Sequence, residues 1–307
     1  MSRLLIFARR RTEKLAIKSH GFTLVEMVTV VIILGILVLG VSSFLIFGTR
    51  IFIDSTSVEQ VMSQSRFAIE RMTRDLRNAV PNSIRINTSS STINGAKNFT
   101  NEWQCIEMMP ISSSASYILA PVAPLPAADS ALVMQASNSA PLTKDQLLLI
   151  YPLSPADVYT TADVTPGKLF TIKNISDSVL TNATTVKFDN TVQFTEMSPR
   201  QRYFGVTGAV SYCFEKVTNE LSLLKRYSVY DFDDAAVRGP DDFKKGNNKV
   251  EGVLMAENIV NTIAANNPMT YTPGTLQNNA MVHLNPLFDV QGQALQYHHQ
   301  VQVINVP

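Results

Sequence analysis

The chain has 307 residues, 45% of them hydrophobic, enough to bury a sizeable core beside a membrane-spanning helix. Its formal net charge of +1 is unevenly distributed. Residues 1–21 carry six basic residues against one acidic residue, a net +5, so residues 22–307 carry 20 basic and 24 acidic residues, a net −4. This balance argues against a broad nucleic-acid-binding surface, and we expect no nucleic-acid partner.

The N-terminal part combines a basic leader with a long apolar run. From Met27 to Phe47 no residue is charged, and Arg50 follows closely. At about 1.5 Å per residue, a helix of this length spans roughly the 30 Å hydrocarbon core of a membrane. Because cytoplasmic flanks are enriched in Lys and Arg, the leader predicts that the chain after Phe47 lies outside the cytoplasm.

A short motif stands directly before the apolar run. It reads Gly-Phe-Thr-Leu-Val-Glu from Gly21 to Glu26. A carboxylate next to lipid is expensive, so Glu26 is unusual for a plain membrane anchor. The motif resembles the type IV prepilin signal. The resemblance implies removal of residues 1–21 by cleavage between Gly21 and Phe22, methylation of the new Phe22 amine, and a role for Glu26 in assembly.

Two ordinary interpretations compete with this one. A secretory signal peptide is cut after its apolar region, where Ser42-Ser43 is a weak candidate site. An ordinary anchor explains the apolar length and the basic flank. Neither explains the combination of Gly21, Phe22 and Glu26, so we favour the prepilin-like interpretation.

Apolar residues then recur at three- and four-residue steps, the period of an amphipathic helix. Pro81 and Asn82 end this pattern. One helix is therefore predicted from about residue 22 to residue 80, with 22–49 as its transmembrane and polymerisation half and 50–80 as its amphipathic half. The periodic positions are Val58, Val61, Met62, Ile69, Met72, Leu76 and Ala79.

The amphipathic half also carries charges at helical spacing. Arg66–Glu70–Arg74 and Arg71–Asp75 are expected to form ion pairs across one turn, each worth a few tenths of a kcal/mol. The segment 64–79 resembles the matching helix of the PilW and GspJ subgroup of pilin-like proteins.

Residues 81–307 are expected to form an extracytoplasmic, antiparallel β-rich head around the second half of the helix, an α+β fold. Residues 89–101 are expected to be a loop, and residues 112–142 a long irregular insertion with one buried piece. Residues 253–263 are a strand or a short helix. The clearer strands are 146–151, 168–172, 185–188, 209–214, 222–229, 280–284 and 300–305.

The two cysteines, Cys105 and Cys213, both lie in the predicted extracytoplasmic part. Because that compartment oxidises thiols, we expect one disulfide between them. Two buried free thiols are the alternative. Their separation does not match the ligand spacing of zinc sites.

Little in the head suggests catalysis, and we expect no enzyme activity and no cofactor. His283, His298 and His299 lack the partners of a nucleophile or metal site. An acidic cluster could offer oxygen ligands to Ca²⁺, but it lacks EF-hand spacing and has two lysines close by, so a solvated loop is favoured. The cluster comprises Asp231, Asp233, Asp234, Asp241 and Asp242.

The size of the chain, its Ser- and Asn-rich loops and its C-terminal segment 301–307 resemble minor pilins of the MSHA type, within the type IV filament superfamily. The resemblance implies inner-membrane insertion, then location in a surface fibre used for attachment. Its implied partners are the prepilin peptidase and methylase, other minor and major pilins, the inner-membrane assembly platform and membrane lipid. A GspJ-like secretion pseudopilin, a tip adhesin for glycan or DNA, and a membrane-anchored enzyme are the alternatives.

Overall fold

The computed structural model describes residues 21–89, 102–135, 140–218, 221–230, 238–243, 249–263, 265–275 and 278–304. The chain divides into two compact units, Met1–Thr56 and Ser57–Pro307. The fold is α+β, as the sequence predicts, with a long N-terminal helix followed by antiparallel β-sheets.

Two helices are present in the described residues. Helix α1 spans Leu24–Arg77, close to the predicted 22–80, and a single-turn helix α2 spans Pro155–Val158. Glu26 in the first turn of α1, and Arg74 and Arg77 in its last turn, complement the helix dipole.

Seventeen strands are described, and they form three sheets. The strands are β1 (Arg85–Thr88), β2 (Trp103–Met108), β3 (Ser113–Leu119), β4 (Ala128–Met134), β5 (Leu147–Ile150), β6 (Leu169–Thr171), β7 (Asn174–Asp177), β8 (Ala183–Val192), β9 (Arg202–Val206), β10 (Ala209–Lys216), β11 (Ser222–Tyr230), β12 (Val253–Ile259), β13 (Met269–Thr272), β14 (Ala280–Leu284), β15 (Leu287–Val290), β16 (Gln293–Gln296) and β17 (His299–Val303).

The first sheet has the order β1-β2-β10-β11-β12-β15-β16, and a small sheet has the order β13-β14-β17. Alternate residues of β2, such as Ile106 and Met108, point to one face, as the period of a strand requires. That face, the small sheet and the buried stripe of α1 share one hydrophobic cluster. The α1 residues in it are Ala68, Ile69, Met72, Leu76.

The second seven-stranded sheet is an insertion. Strands β2 and β10 pair directly, with Met108 opposite Val210, so the chain between them leaves and re-enters the first sheet at one point. All strands from β3 to β9 lie in this intervening segment, and they pair only with one another, in the order β6-β5-β9-β3-β4-β8-β7. Residues 109–208 thus form an inserted sheet grown from the β2–β10 connection.

The inserted sheet packs on the other face of the first sheet. Cys105 and Cys213 share a buried cluster with Leu149, Tyr159 and Phe204 of the insertion. A separate aromatic core lies within the insertion, where Phe170 contacts Phe188 and Phe194 edge to face.

One sequence expectation about this region is wrong. Residues 112–142 are not an irregular insertion, because they contain β3 and β4, central strands of the inserted sheet. Their Ala- and Ser-rich composition hides the strand signal, since packing between sheets rather than intrinsic propensity stabilises such strands. Within residues 253–263, which were predicted as a strand or a short helix, Val253–Ile259 form strand β12. The other predicted strands are found with boundaries that differ by at most a few residues. The predicted loop 89–101 lies, apart from its first residue, outside the described residues.

Candidate functional site: the N-terminal motif, the apolar helix and its junction with the sheets

The predicted cleavage bond lies just before α1. Gly21, Phe22 and Thr23 are outside regular secondary structure and exposed. A side chain at Gly21 would meet no atom within 4 Å in the structure itself. The fold itself therefore leaves room for a residue larger than glycine at this position. The leader residues 1–20 lie outside the described residues.

Thr23 directly precedes α1, and Glu26 lies in the first turn of the helix. The Glu26 N–H donates to Thr23 Oγ1 at 3.3 Å, and the Met27 N–H donates to the Thr23 carbonyl at 3.2 Å. Thr23 thus acts as an N-cap, with a Glu three residues later, the spacing of a capping box. The Glu26 side chain is exposed, and within the described residues no cation forms an ion pair with it. Its carboxylate remains available to a partner.

The following stretch of α1 is apolar on every side. Its most apolar 18-residue window has a mean hydropathy of 3.0, and none of that window is buried, so this helix is long and apolar enough to cross a membrane. Side chains such as Leu34, Leu39 and Phe44 are more than half exposed. Since so much apolar surface is unstable in water, lipid or other helices must cover it.

The amphipathic part of α1 is held on the first sheet through Asp75. This carboxylate is mostly buried and accepts hydrogen bonds from Tyr212 on β10 (2.8 Å) and from Arg226 Nε on β11 (2.9 Å). Arg71 Nε lies 3.3 Å from the other carboxylate oxygen. Small Ser65 and Ala68 on the same side of α1 are fully buried. The helix and the sheet therefore form one hydrogen-bonded and packed junction.

Two of the three charge pairs expected on α1 are absent among the described residues. Arg71–Asp75 forms, but Arg66, Glu70 and Arg74 make no ion pair with one another or with another described residue. Long exposed side chains gain too little from such a pair to offset the entropy of ordering them. Asp75 differs because its sheet partners already hold it in place.

The predicted disulfide is present. Cys105 on β2 and Cys213 on β10 are bonded, fully buried and directly opposite in the register of the two strands. It therefore closes the base of the insertion, joining the two strands from which the inserted sheet extends.

A buried polar network beside the disulfide was not predicted. Glu107 on β2 is fully buried and accepts hydrogen bonds from Arg85 Nε and from Tyr230 OH at 2.6 Å. The Arg85 guanidinium lies 4.0 Å above the ring of Tyr159, which belongs to the inserted segment. A single carboxylate within the apolar run Ile106-Glu-Met-Met109 was the available signal, since a buried charge requires partners.

The tyrosines of this network have shifted acidities. Burial, reinforced by the negative Glu107, raises the pKa of Tyr230 and of Tyr159 well above the ordinary value of 10.0. The Tyr230 hydroxyl therefore stays protonated and donates its hydrogen bond to Glu107 at any physiological pH.

The other candidate ligands do not converge. Asp231, Asp233 and Asp234 lie outside the described residues. Asp241 and Asp242 are exposed, and Asp242 accepts a hydrogen bond from the Gly239 N–H in a local turn. Among the residues that the structure describes, no three His, Cys, Asp or Glu side chains form a group that could hold a metal ion.

The histidines fall on the small sheet and the segment before it. His283 lies on β14 opposite Gln300, and His298 Nδ1 is 3.0 Å from Asn285 Oδ1. His299 begins β17, and its Nε2 is buried without a hydrogen-bond partner.

Comparison with known proteins identifies the N-terminal motif. Residues 17–42 match the model of the prokaryotic N-terminal methylation motif. No curated protein matches the chain significantly, and no solved structure does. The matched segment includes Gly21, Phe22 and Glu26, and it extends into the apolar stretch of α1 as far as Ser42. The chain therefore has a type IV pilin-like N-terminus, of the kind found in pilus and pseudopilus subunits, which implies processing by a prepilin peptidase and assembly with other pilins.

Proposed function

We propose that this chain is a minor pilin of a type IV pilus of the MSHA type, similar to MshO. In this proposal the prepilin peptidase cuts between Gly21 and Phe22 and the Phe22 amine is methylated. The first half of α1 holds the subunit in the bacterial inner membrane, with the sheets outside the cytoplasm. The subunit then joins other minor pilins, helps initiate a fibre at the assembly platform, and stays near the fibre tip in attachment.

One observation carries the proposal: the methylation motif at residues 17–42 leads without interruption into a helix whose apolar residues are exposed on all sides. Lipid can cover that surface before assembly, and neighbouring apolar helices can cover it in a fibre. Because burial is similar in both states, transfer from membrane to fibre loses little apolar burial.

The role is mechanical and needs no chemical step by this chain. The Asp75 contacts connect the helix to the first sheet, and the Cys105–Cys213 bond connects the two strands that bear the insertion. We accordingly propose no catalytic residue and no cofactor, and assign Gly21 and Phe22 to processing and Glu26 to assembly.

A GspJ-like pseudopilin of a type II secretion system is the second candidate. It is favoured by the resemblance of segment 64–79 to the PilW and GspJ subgroup, which includes members of both systems. It shares the processing signal and the apolar helix, so the two candidates differ in the fibre that the subunit enters.

N-terminal sequencing of the membrane-extracted protein tests the common part. We expect a mature end at methylated Phe22, and accumulation of the uncut chain when Gly21 is replaced by a charged residue. A mature end after Ser43 would contradict the proposal. Deletion of the chain separates the two candidates: loss of surface fibres supports the minor pilin, whereas loss of protein export with normal fibres supports the pseudopilin.

A further inference from the structure

A groove runs along α1 within the Ser57–Pro307 unit. It has a volume of about 780 Å³, and one wall is the side of α1 between Arg66 and Asn78. The opposite wall is formed by Tyr297, which lies between β16 and β17, and by His299, the first residue of β17. Ile69 contributes an apolar surface at the edge of the buried cluster.

The charge of this groove is predominantly positive. Arg66, Arg74 and Arg77 line it, with Glu70 as the acidic residue among its lining side chains. Arg66 and Arg74 are about 12 Å apart along the helix axis, and Arg77 is roughly 4.5 Å further. The three arginines are exposed, and none has a carboxylate partner within 4.0 Å among the described residues.

One polar atom of a residue that lines the groove is buried without a hydrogen bond. His299 Nε2 is inaccessible to solvent and forms no hydrogen bond with a described residue. Buried polar atoms of this kind are normally satisfied. The exposed arginines are therefore the groups that a bound segment reaches directly.

We propose that this groove binds a carboxylate-bearing segment of a neighbouring pilin-like subunit, an inference that rests on the proposed function. Guanidinium groups pair with carboxylates in a planar, two-point geometry, so three free arginines favour an acidic peptide segment over a neutral one. The Tyr297 ring and Ile69 offer apolar contact between the charges, as in the centre of a protein–protein interface.

Nucleic acid fits the groove less well. A nucleic-acid-binding surface is a broad basic face, whereas here Glu70 lies among three arginines and the 286 residues from 22 to 307 carry a net −4. The length of the basic stretch suits a few carboxylates of one helical or extended segment. By binding this acidic segment, the groove fixes where the neighbouring subunit lies beside α1.

Zero-length cross-linking in the membrane of the native cell tests the inference. In separate full-length variants, Arg74→Lys and Arg77→Lys keep the charge and add an amine that carbodiimide joins to a touching carboxylate. Arg200→Lys, at an exposed position of the inserted segment, is the matched control. We expect a cross-linked product from both groove variants at roughly tenfold the control yield, with a linked peptide from a subunit that carries the methylation motif.

Charge reversal supplies the second arm. The double variant Arg74→Glu/Arg77→Glu should lower recovery of the cross-linked neighbour by about tenfold, and reversing the linked carboxylate to Arg or Lys should restore it. Lys187→Glu/Arg200→Glu, on the inserted segment, should leave recovery unchanged. Normal cleavage at Gly21 in every variant shows that the proposed function stands independently.

Three outcomes would overturn the inference while leaving the proposed function intact. They are yields at Arg74 and Arg77 equal to the Arg200 control, normal neighbour recovery in the charge-reversed variant, and salt-sensitive binding of a single-stranded oligonucleotide that requires Arg74 and Arg77. Failure of cleavage in the unaltered chain would instead contradict the proposed function.

Discussion

At the scale of single residues, two roles can be assigned to Glu26, one local to the helix and one between subunits. Its backbone N–H is capped by Thr23 Oγ1, and its position in the first turn favours a negative charge. These local effects need no partner. The exposed carboxylate could also pair with the N-terminal amine of another subunit, which cleavage at Gly21 would create.

The variant Glu26→Ala distinguishes these roles. An ion pair at 4 Å in an effective dielectric of 20 is worth about 4 kcal/mol, and desolvation removes much of this, so its main effect is on register. We expect normal cleavage at Gly21, but fewer fibres and reduced recovery of other pilin subunits. Normal fibre numbers and normal recovery would contradict the ion pair between subunits.

Thr23→Ala is the control for helix capping. It removes the side-chain cap at a cost of about 1 kcal/mol and leaves the carboxylate in place. If capping explained the Glu26→Ala phenotype, both variants would show it. A defect confined to Glu26→Ala therefore supports the ion pair between subunits.

The disulfide between Cys105 and Cys213 stabilises the protein chiefly through the unfolded state. A bond between residues 108 apart removes chain entropy from the unfolded state, about 4.7 kcal/mol for a loop of roughly this length. Cys105 and Cys213 also lie opposite each other on paired strands, so in the folded state the bond joins two residues that the sheet already places next to each other. Its stabilisation comes mainly from limiting the unfolded chain around the inserted sheet.

At the scale of secondary-structure elements, the junction of α1 with β10 and β11 depends on one carboxylate. Asp75 accepts hydrogen bonds from Tyr212 and Arg226, both on the sheet, and its own side chain is 12% exposed. Burial and the negative Asp75 raise the pKa of Tyr212. The hydroxyl therefore remains a donor to Asp75, and the hydrogen bond holds the helix on the sheet.

Asp75→Ala should destabilise the protein by about 2–3 kcal/mol, because it leaves a partly buried guanidinium and a hydroxyl without their acceptor. Glu70→Ala, five residues earlier on α1 and without an ion pair among the described residues, should change stability by less than about 0.5 kcal/mol. Chemical denaturation of the full chain in detergent measures both. Equal losses for the two variants would contradict the assigned role of Asp75.

At the scale of the whole molecule, the first sheet lies between two layers, α1 with the small sheet on one face and the inserted sheet on the other. One face packs on α1 and the small sheet, and the other packs on the inserted sheet through Tyr159, Cys105 and the Glu107 network. This network is buried at the contact between sheets. It therefore couples the position of the insertion to the core of the first sheet.

The buried tyrosine hydroxyls at this contact predict how the free energy of unfolding changes at alkaline pH. Tyrosines in the unfolded chain ionise near 10.0, whereas burial and Glu107 raise the pKa of Tyr159 and Tyr230 in the folded state. The folded state then binds more protons above pH 10, so the free energy of unfolding is unaffected by these groups below that pH and falls above it. Each tyrosine contributes a slope of about 1.4 kcal/mol per pH unit.

Denaturation at a series of pH values checks this expectation. Tyr230→Phe should be less stable than the unaltered protein near neutral pH, because Glu107 and Ser211 lose a hydrogen-bond partner. Above about pH 10 its free energy of unfolding should fall less steeply with pH than that of the unaltered protein, because one titrating tyrosine is missing. The difference in slope corresponds to one bound proton. Parallel stability curves above that pH would contradict the raised pKa of Tyr230.

The amino-acid sequence by itself determined the N-terminal half of this description. An uncharged run of about 20 residues, a glycine before it and a three- to four-residue apolar period are local patterns, and local patterns are sufficient to predict a helix and a processing motif. The β-rich head, the disulfide pair and most strand positions were also predicted from composition, compartment and alternation.

Only the tertiary structure decided which strands pair and which charges meet. The pairing of β2 with β10 joins residues about 100 positions apart. The predicted disulfide brings Cys105 and Cys213 together, but it specifies neither that their strands pair nor in which register. Glu107 with Tyr230 and Asp75 with Arg226 also meet across such separations, because their partners come from distant strands. Strand propensity depends on the surface that each strand meets, so β3 and β4 were hidden until their sheet was known. A contact between distant residues is set by the packing of the whole core, and no local sequence pattern encodes that packing.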